Sequence, residues 1–357
     1  MTRLLARTAL IFVMALFLAN LTPALLAQAT ESGPSDPAAE HSHQTPADTA
    51  ASSATTASPT HGDQQEAEPT IWTIMSAPKY LTMLGLMAAG LILLFARAIN
   101  LWVRLVGLAV IFVVFGSDQI FPLHPSPMCA VTKLFMFRFT HGEWFVGFLT
   151  FFLIIFVPSL IGRKLFCGWV CPLGAFQELI NKIPVKWRIK QFNFTAFNAV
   201  RFMLLVMFFL TFFWAKSYMD ALGAETGMAG TPLWKAYSAY SVYDPINYFE
   251  YLHWTFNTLF WITMPILVLA SLALYRPFCY LICPIGAFSW LLEKIAPARV
   301  RINRQTCNDC GVCVIKSPCP TIKPLLKGDS LGLPDCTSCG ECIRTCPKKS
   351  ISFGFKA

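Results

Sequence analysis

The residues with chemistry to offer are cysteines: there are thirteen in 357 residues, and eight of them fall between Cys307 and Cys346. Cys336, Cys339, Cys342 and Cys346, the last followed by Pro347, have the spacing C-x2-C-x2-C-x3-C-P. In such a run three close thiolates wrap three corners of a cubane 4Fe–4S cluster, and the fourth, turned by the proline, crosses to a second cluster. Cys307, Cys310, Cys313 and Cys319, ahead of Pro320, repeat the pattern with five residues rather than three before the last cysteine. The crossover assigns one cluster to Cys307, Cys310, Cys313 and Cys346, and the other to Cys336, Cys339, Cys342 and Cys319. The insertion at 314–318 bears on the last of these ligands. A zinc ribbon fits poorly, because zinc sites use two separated pairs rather than runs of three with a trailing Cys-Pro.

Four further cysteines form an internal repeat. The stretches FCGWVCPLGAFQELINKI at 166–183 and FCYLICPIGAFSWLLEKI at 278–295 are identical at ten of eighteen positions, which marks a duplicated structural unit. Each reads Cys-x3-Cys-Pro, with Cys167 and Cys171 in one and Cys279 and Cys283 in the other. Pro172 and Pro284 suit the first position of a helix, which makes Cys171 and Cys283 N-caps. The positive end of the helix dipole is expected to lower their thiol pKa. Three roles stay open for the four: small buried packing residues, ligands of an iron–sulfur centre or another soft metal, and redox dithiols. Structural disulfides do not suit the reducing cytoplasmic side.

What must position these cysteines is a membrane protein. The chain is 55% hydrophobic and only 13% charged, against about 25% charged in ordinary soluble proteins. Apolar segments at Tyr80–Ile99, Leu101–Phe121, Trp144–Gly162, Ala196–Trp214 and Thr255–Tyr275 are each near the ~20 residues needed to cross the hydrocarbon. The first two are so close in sequence that a tight helical hairpin is expected. Arg3 and Arg7, the apolar run from Ala9 to Leu26, and small residues at Ala27 and Ala29 read as a signal peptide over 1–29. Residues 30–78 are expected as a disordered external linker, since 30–70 contains no Ile, Leu, Val, Met, Phe, Tyr, Trp, Lys, Arg or Cys. Its His41, His43 and His61 are assigned no role.

With the linker outside, 26 Lys and Arg follow the signal, five of them external (Lys79, Lys133, Arg138, Lys216 and Lys235) and 21 internal. The positive-inside rule therefore agrees with the signal peptide, and the net charge of +9 reports orientation rather than nucleic-acid binding. The expected fold class is an all-α polytopic membrane domain of about five transmembrane helices over 79–300, followed at 301–357 by an α+β two-cluster domain. The chain is placed as a multi-pass protein of the bacterial inner membrane with that last domain in the cytoplasm.

No span carries an interior histidine and no C-x-x-C-H occurs, so haem is not expected. Quinone chemistry needs an acid or base at the membrane edge. Asp118, His124, His141, Glu143, Asp244 and His253 are candidates outside, and Glu178 inside, with interfacial anchoring beside Trp144, Trp234 and Trp254 as the plainer role. His124, Met128 and Cys129 group three soft-metal ligand types, although a turn with a buried cysteine explains them as well.

The paired motifs FCGWVCPLGA and FCYLICPIGA in a membrane context, followed by a two-cluster ferredoxin-like tail, resemble the NapH/NosR/NirI-type polytopic iron–sulfur proteins, and more distantly the CcoG (RdxA/FixG) proteins, over roughly residues 80–357. The resemblance implies electron transfer between the quinone pool or cytoplasmic clusters and a periplasmic redox partner or reductase. A cytoplasmic or membrane iron–sulfur or flavoprotein subunit is a further implied partner. NosR-type proteins carry a flavin-binding domain before their spans. Here a short linker takes that place, so no covalent flavin is expected. A CcoG-like copper reductase or metal-centre assembly factor, and a redox-sensing regulator, are the alternatives.

Overall fold

A computed structural model of the chain describes residues 70–116, 121, 126–189, 193–226, 243, 247–251, 258–328 and 335–355. The signal and most of the linker, and Asp118, His124, Trp234, Asp244, His253 and Trp254, lie outside the described residues. Helices are α1 (Ile71–Met75), α2 (Pro78–Phe95), α3 (Leu101–Gly116), α4 (Pro127–His141), α5 (Val146–Gly162), α6 (Leu165–Trp169), α7 (Pro172–Asn181) and α8 (Phe194–Thr226). They continue with α9 (Tyr248–Tyr251), α10 (Thr258–Ala273), α11 (Pro277–Leu281) and α12 (Pro284–Glu293). The tail comprises β1 (Ala298–Ile302), α13 (Val312–Lys316), α14 (Ile322–Lys327), α15 (Glu341–Thr345) and β2 (Ile351–Phe355). Helix α1 falls within the stretch expected as linker and packs on α5.

Among the described residues each of the five apolar segments carries a helix. Pro78–Phe95 and Phe194–Tyr218 are long and apolar enough to cross a membrane; Leu101–Gly116, Val146–Gly162 and Phe260–Ala273 are shorter. The buried residues of α2, Tyr80, Met83, Met87, Gly90 and Leu94, recur every three or four positions, so one stripe faces the protein and the rest stays apolar and outward. Arg104, Leu108, Ile111 and Phe115 form the same stripe on α3.

The expected hairpin of α2 and α3 is not tight. Helix α2 packs on α5, α6 and β2, whereas α3 runs along α7, and an apolar groove lies between them with Trp169 at its floor. The reason is the bulk of Trp169: its indole ring lies against Gly90 of α2, and the Arg104 guanidinium of α3 sits 4.9 Å from the ring centroid.

Strands β1 and β2 pair antiparallel from Ala298↔Phe355 to Ile302↔Ile351, and this closes the tail into a loop that brings the two cysteine runs together. The tail docks on the helices through Phe95 of α2, whose ring stands 5.4 Å from Phe353 and 5.1 Å from Phe355.

Candidate functional site

The two cysteine runs of the tail share one backbone turn. In Cys307–Cys313 the left-handed residues are Asp309 (φ 49°) and Gly311 (φ 69°); in Cys336–Cys342 they are Ser338 (φ 50°) and Gly340 (φ 77°), at the same two positions. Glycine at the second position N-caps α13 in one run and α15 in the other. Alternating right- and left-handed residues turn successive N–H groups inward, the concave "nest" that accepts anions and occurs at many iron–sulfur sites. The donor set and the turn both fit an anionic thiolate cluster.

The crossover seen in the spacing has its spatial counterpart. Cys319 lies near Cys339 and Cys336 despite its longer spacer, and Cys342 lies near all three. Cys313 lies near Cys346 and Cys310. Burial raises the Cys336 thiol to about 11, with Arg163 opposing that shift. Among the described residues no three His, Cys, Asp or Glu side chains are gathered as a set for a single metal ion, so the thiols are neighbours rather than a closed mononuclear shell.

Cys167, Cys171, Cys279 and Cys283, 112 positions apart in their two repeats, line one enclosed cavity together with Phe166, Phe249, Phe278 and Thr337. As it stands its free space is about 20 Å³, roughly one water.

Cys171 is the expected N-cap: its Sγ accepts from the Gly174 amide at 3.4 Å. The expected lowering of its pKa is not found. Burial raises both capping thiols, and the neighbouring cysteines raise them further, outweighing the amides that favour a thiolate. Burial likewise brings Cys167 to about 11. Burial thus favours the neutral thiol at these positions.

The two turns are cross-braced by cations from outside their own repeat. Lys164, before the first repeat, donates to the Gly286 carbonyl of the second at 2.9 Å, and Arg276, at the aligned position before the second, donates to the Cys167 carbonyl of the first at 2.6 Å. Arg201 of α8 donates to the Cys279 carbonyl at 3.2 Å. Buried positive charge of this kind offsets the negative charge of a thiolate centre, which apolar surroundings alone could not hold.

The same cations tie the repeats to the tail. Asp335, next to Cys336, takes Lys164 on one oxygen and Arg201 on the other, the latter at 2.6 Å. Glu293, at the end of α12, takes Arg163 at 2.6 Å and accepts the Cys336 amide at 3.0 Å. Ser338 donates to the Gly162 carbonyl at 2.8 Å, and the Trp169 indole donates to the Ser338 carbonyl at 3.0 Å. A Cβ on Gly168 would collide with the Thr337 carbonyl, so glycine is what lets the first turn touch the Cys336–Cys339 loop. None of these contacts is readable from sequence: Lys164 and Asp335 are 171 residues apart.

Glu178, expected as an acid or base for quinone, sits elsewhere. It is fully buried between Arg104 (2.8 Å), Arg276 (2.5 Å) and the Tyr275 hydroxyl (2.9 Å). Burial alone would raise its carboxyl, but the two guanidiniums prevail and hold it well below the usual carboxylate range. As an anion it orients the Arg276 guanidinium, which in turn reaches the Cys167 carbonyl. Between α4 and α5, Glu143 is exposed and Trp144 stacks under Arg138. His141 ends α4. Cys129 is bonded to Ser126, which accepts from Asn247, beside the Tyr248 and Phe249 that reach toward the four-cysteine cavity.

A family model described as a 4Fe-4S binding domain matches residues 143–190 and 256–303, the two repeat units with their preceding helices. The chain is 28% identical to YccM of Escherichia coli over 56% of its own length and 54% of that protein. It is 26% identical to the ferredoxin-type protein NapH of Haemophilus influenzae over 57% of its length and 67% of that protein. It is 24% identical to the regulatory protein NosR of Stutzerimonas stutzeri over 55% of its length, but only 25% of that larger protein. The matched region thus spans about half of YccM. No solved structure matches the chain.

Proposed function

From a chain that fits the NapH/NosR-type family of 4Fe–4S ferredoxin-type proteins, we propose a multi-pass inner-membrane electron carrier. In this reading the tail cysteines hold two 4Fe–4S clusters as the crossover assigns them, and Cys167, Cys171, Cys279 and Cys283 jointly ligate a third sulfur-bound centre. When bound, such groups supply one-electron carriage. The observation that supports the reading is the shared wall: the Cys336–Cys339 loop lines the four-cysteine cavity through Thr337. A carrier needs adjacent sites in a water-excluded setting, and here Asp335, Lys164, Arg201, Arg163 and Glu293 clamp them together.

The physiological role that this arrangement serves best is a quinol-oxidising component that supplies a periplasmic reductase. The protein's own residues would bind and orient the centres, exclude water with Phe166, Phe249 and Phe278, and balance charge with the buried cations. The test is to mix purified protein in lipid with a menaquinol or ubiquinol analogue and follow cluster reduction. Reduction within the time of turnover supports the role. Inert clusters together with rapid Cu(II) reduction would replace it with a copper reductase.

A further inference from the structure

The four-cysteine cavity has one wall that belongs to neither repeat. Thr337 stands between Cys336 and Cys339, is 3% exposed and lines the cavity, yet its hydroxyl has no hydrogen-bond partner among the described residues. The backbone around it is fixed on both sides. Asp335 is held by Lys164 and Arg201, the Asp335 carbonyl accepts from Tyr280 at 3.1 Å and from Thr321 at 2.9 Å, and Ser338 is held by Gly162 and Trp169. These bonds hold the Thr337 backbone at the wall of the cavity.

A buried hydroxyl left unpaired is costly and rare in native proteins. The cavity has few acceptors to offer it. Phe166, Phe249, Phe278, Leu173 and Ile285 are apolar, and the Lys164 ammonium only donates. Of the oxygens there, the Tyr280 hydroxyl is turned to the Asp335 carbonyl and the Gly286 carbonyl takes the Lys164 ammonium, which leaves the cysteine sulfurs and the group they would hold as the acceptors with capacity free.

We propose that Thr337 is a positioning residue whose hydroxyl donates to a sulfur of the centre held by Cys167, Cys171, Cys279 and Cys283, so that one centre's binding loop sets the reduction potential of its neighbour. This rests on the proposal that the four cysteines hold a redox centre. A hydrogen bond to sulfur stabilises the more electron-rich reduced state and raises the potential, and hydrogen bonding to sulfur is among the determinants of iron–sulfur potentials. The asymmetry of the repeats is part of the device. Gly168 admits the Thr337 carbonyl, whereas its counterpart Tyr280 carries a side chain that donates to the Asp335 carbonyl.

The experiment is a redox titration followed by EPR on the purified full-length holoprotein, comparing wild type with Thr337→Val, Thr337→Ala and Thr337→Ser. Valine and alanine are expected to lower the midpoint potential of the four-cysteine centre at unchanged iron per chain, and serine to keep it near wild type. Alanine adds no bulk, so it decides the matter if valine disturbs the loop. An unmoved midpoint in either hydroxyl-free variant that retains its iron overturns the proposal, as does a shift confined to the Cys336 cluster. Cys167→Ser/Cys279→Ser separates the two failures. Unchanged iron and signals there remove the underlying third centre, whereas a lost signal there with an unmoved midpoint in Thr337→Ala removes only the role of Thr337.

Discussion

The two cysteine runs of the tail have the same turn and opposite surroundings. Cys336, Cys339 and Cys342 are buried, and Gly340 between them abuts Ile99 and Leu94 of the helical domain. In the other run Cys310 is exposed, Cys307 is half-buried, and a Cβ on Gly311 would meet nothing within 4 Å. Local sequence builds the nest twice, and docking then makes one copy an internal contact and leaves the other at the surface. The difference is one of access: the run with Cys310 keeps a thiol at the surface, although Cys313 is buried, and the run with Cys336 is enclosed against the helical domain; in the proposed reading the first faces a soluble partner and the second the four-cysteine cavity.

The sharpest way to break this comparison is to remove one thiol from each side. Cys336→Ser and Cys310→Ser are each expected to abolish one cluster's EPR signal. Cys310→Ser should leave the docked half intact, whereas Cys336→Ser should also uncouple the tail from the repeats. Iron analysis and EPR check this, and an unchanged iron content in either would contradict the assignment.

Next in size is Asp335→Ala, which leaves Lys164 and Arg201 buried without their carboxylate. Breaking a buried pair in this way costs about 3–5 kcal/mol. A lowered thermal unfolding midpoint in detergent is the expected outcome, with the four-cysteine site disturbed although no cysteine has changed.

A smaller and more discriminating comparison pairs Gly340→Ala with Gly311→Ala. Both place a Cβ on left-handed backbone, at roughly 1–2 kcal/mol. Only Gly340→Ala also meets Ile99, which adds about 1–3 kcal/mol of overpacking. Equal losses of stability in the two variants would mean that the docked and free runs do not differ in the way described here.

The smallest effect is expected at the rim. Lys348 and Lys349 are exposed beside Cys346. Lys348→Glu/Lys349→Glu should slow reduction by an acidic electron donor by at most about tenfold at low salt and leave a neutral chemical reductant unaffected. Stopped-flow reduction across an ionic-strength series measures it.

Much of the site was legible because thiolate chemistry is written in spacing. Cys336 to Cys346 and the two Cys-x3-Cys-Pro units need no tertiary information to be noticed, and the near approach of Cys319 to Cys336 follows from the crossover rule even across a longer spacer. The apolar helices were legible from composition, and Cys171 as an N-cap from the proline after it. What spacing does not carry is burial. The dipole argument for a lowered Cys171 pKa was sound for an exposed helix end and failed because the end is enclosed by apolar walls and other thiols. Lys164, Arg201 and Asp335 read as isolated charges in the sequence; their function as a clamp depends on three distant segments meeting. Glu178 was a candidate acid or base for the same reason, since nothing local announces Arg104 and Arg276. The α2–α3 pair was misjudged because a short connection permits a hairpin, while the Trp169 ring keeps it open.

The central claim is that the four-cysteine cavity holds a centre in contact with the buried quartet. EPR of the fully reduced protein, with iron determined on the same sample, tests it most directly when wild type is compared with Cys167→Ser/Cys279→Ser. The account predicts that the variant loses iron and also loses magnetic broadening of the signal from the Cys336 quartet. Identical iron per chain and an identical line shape would contradict it.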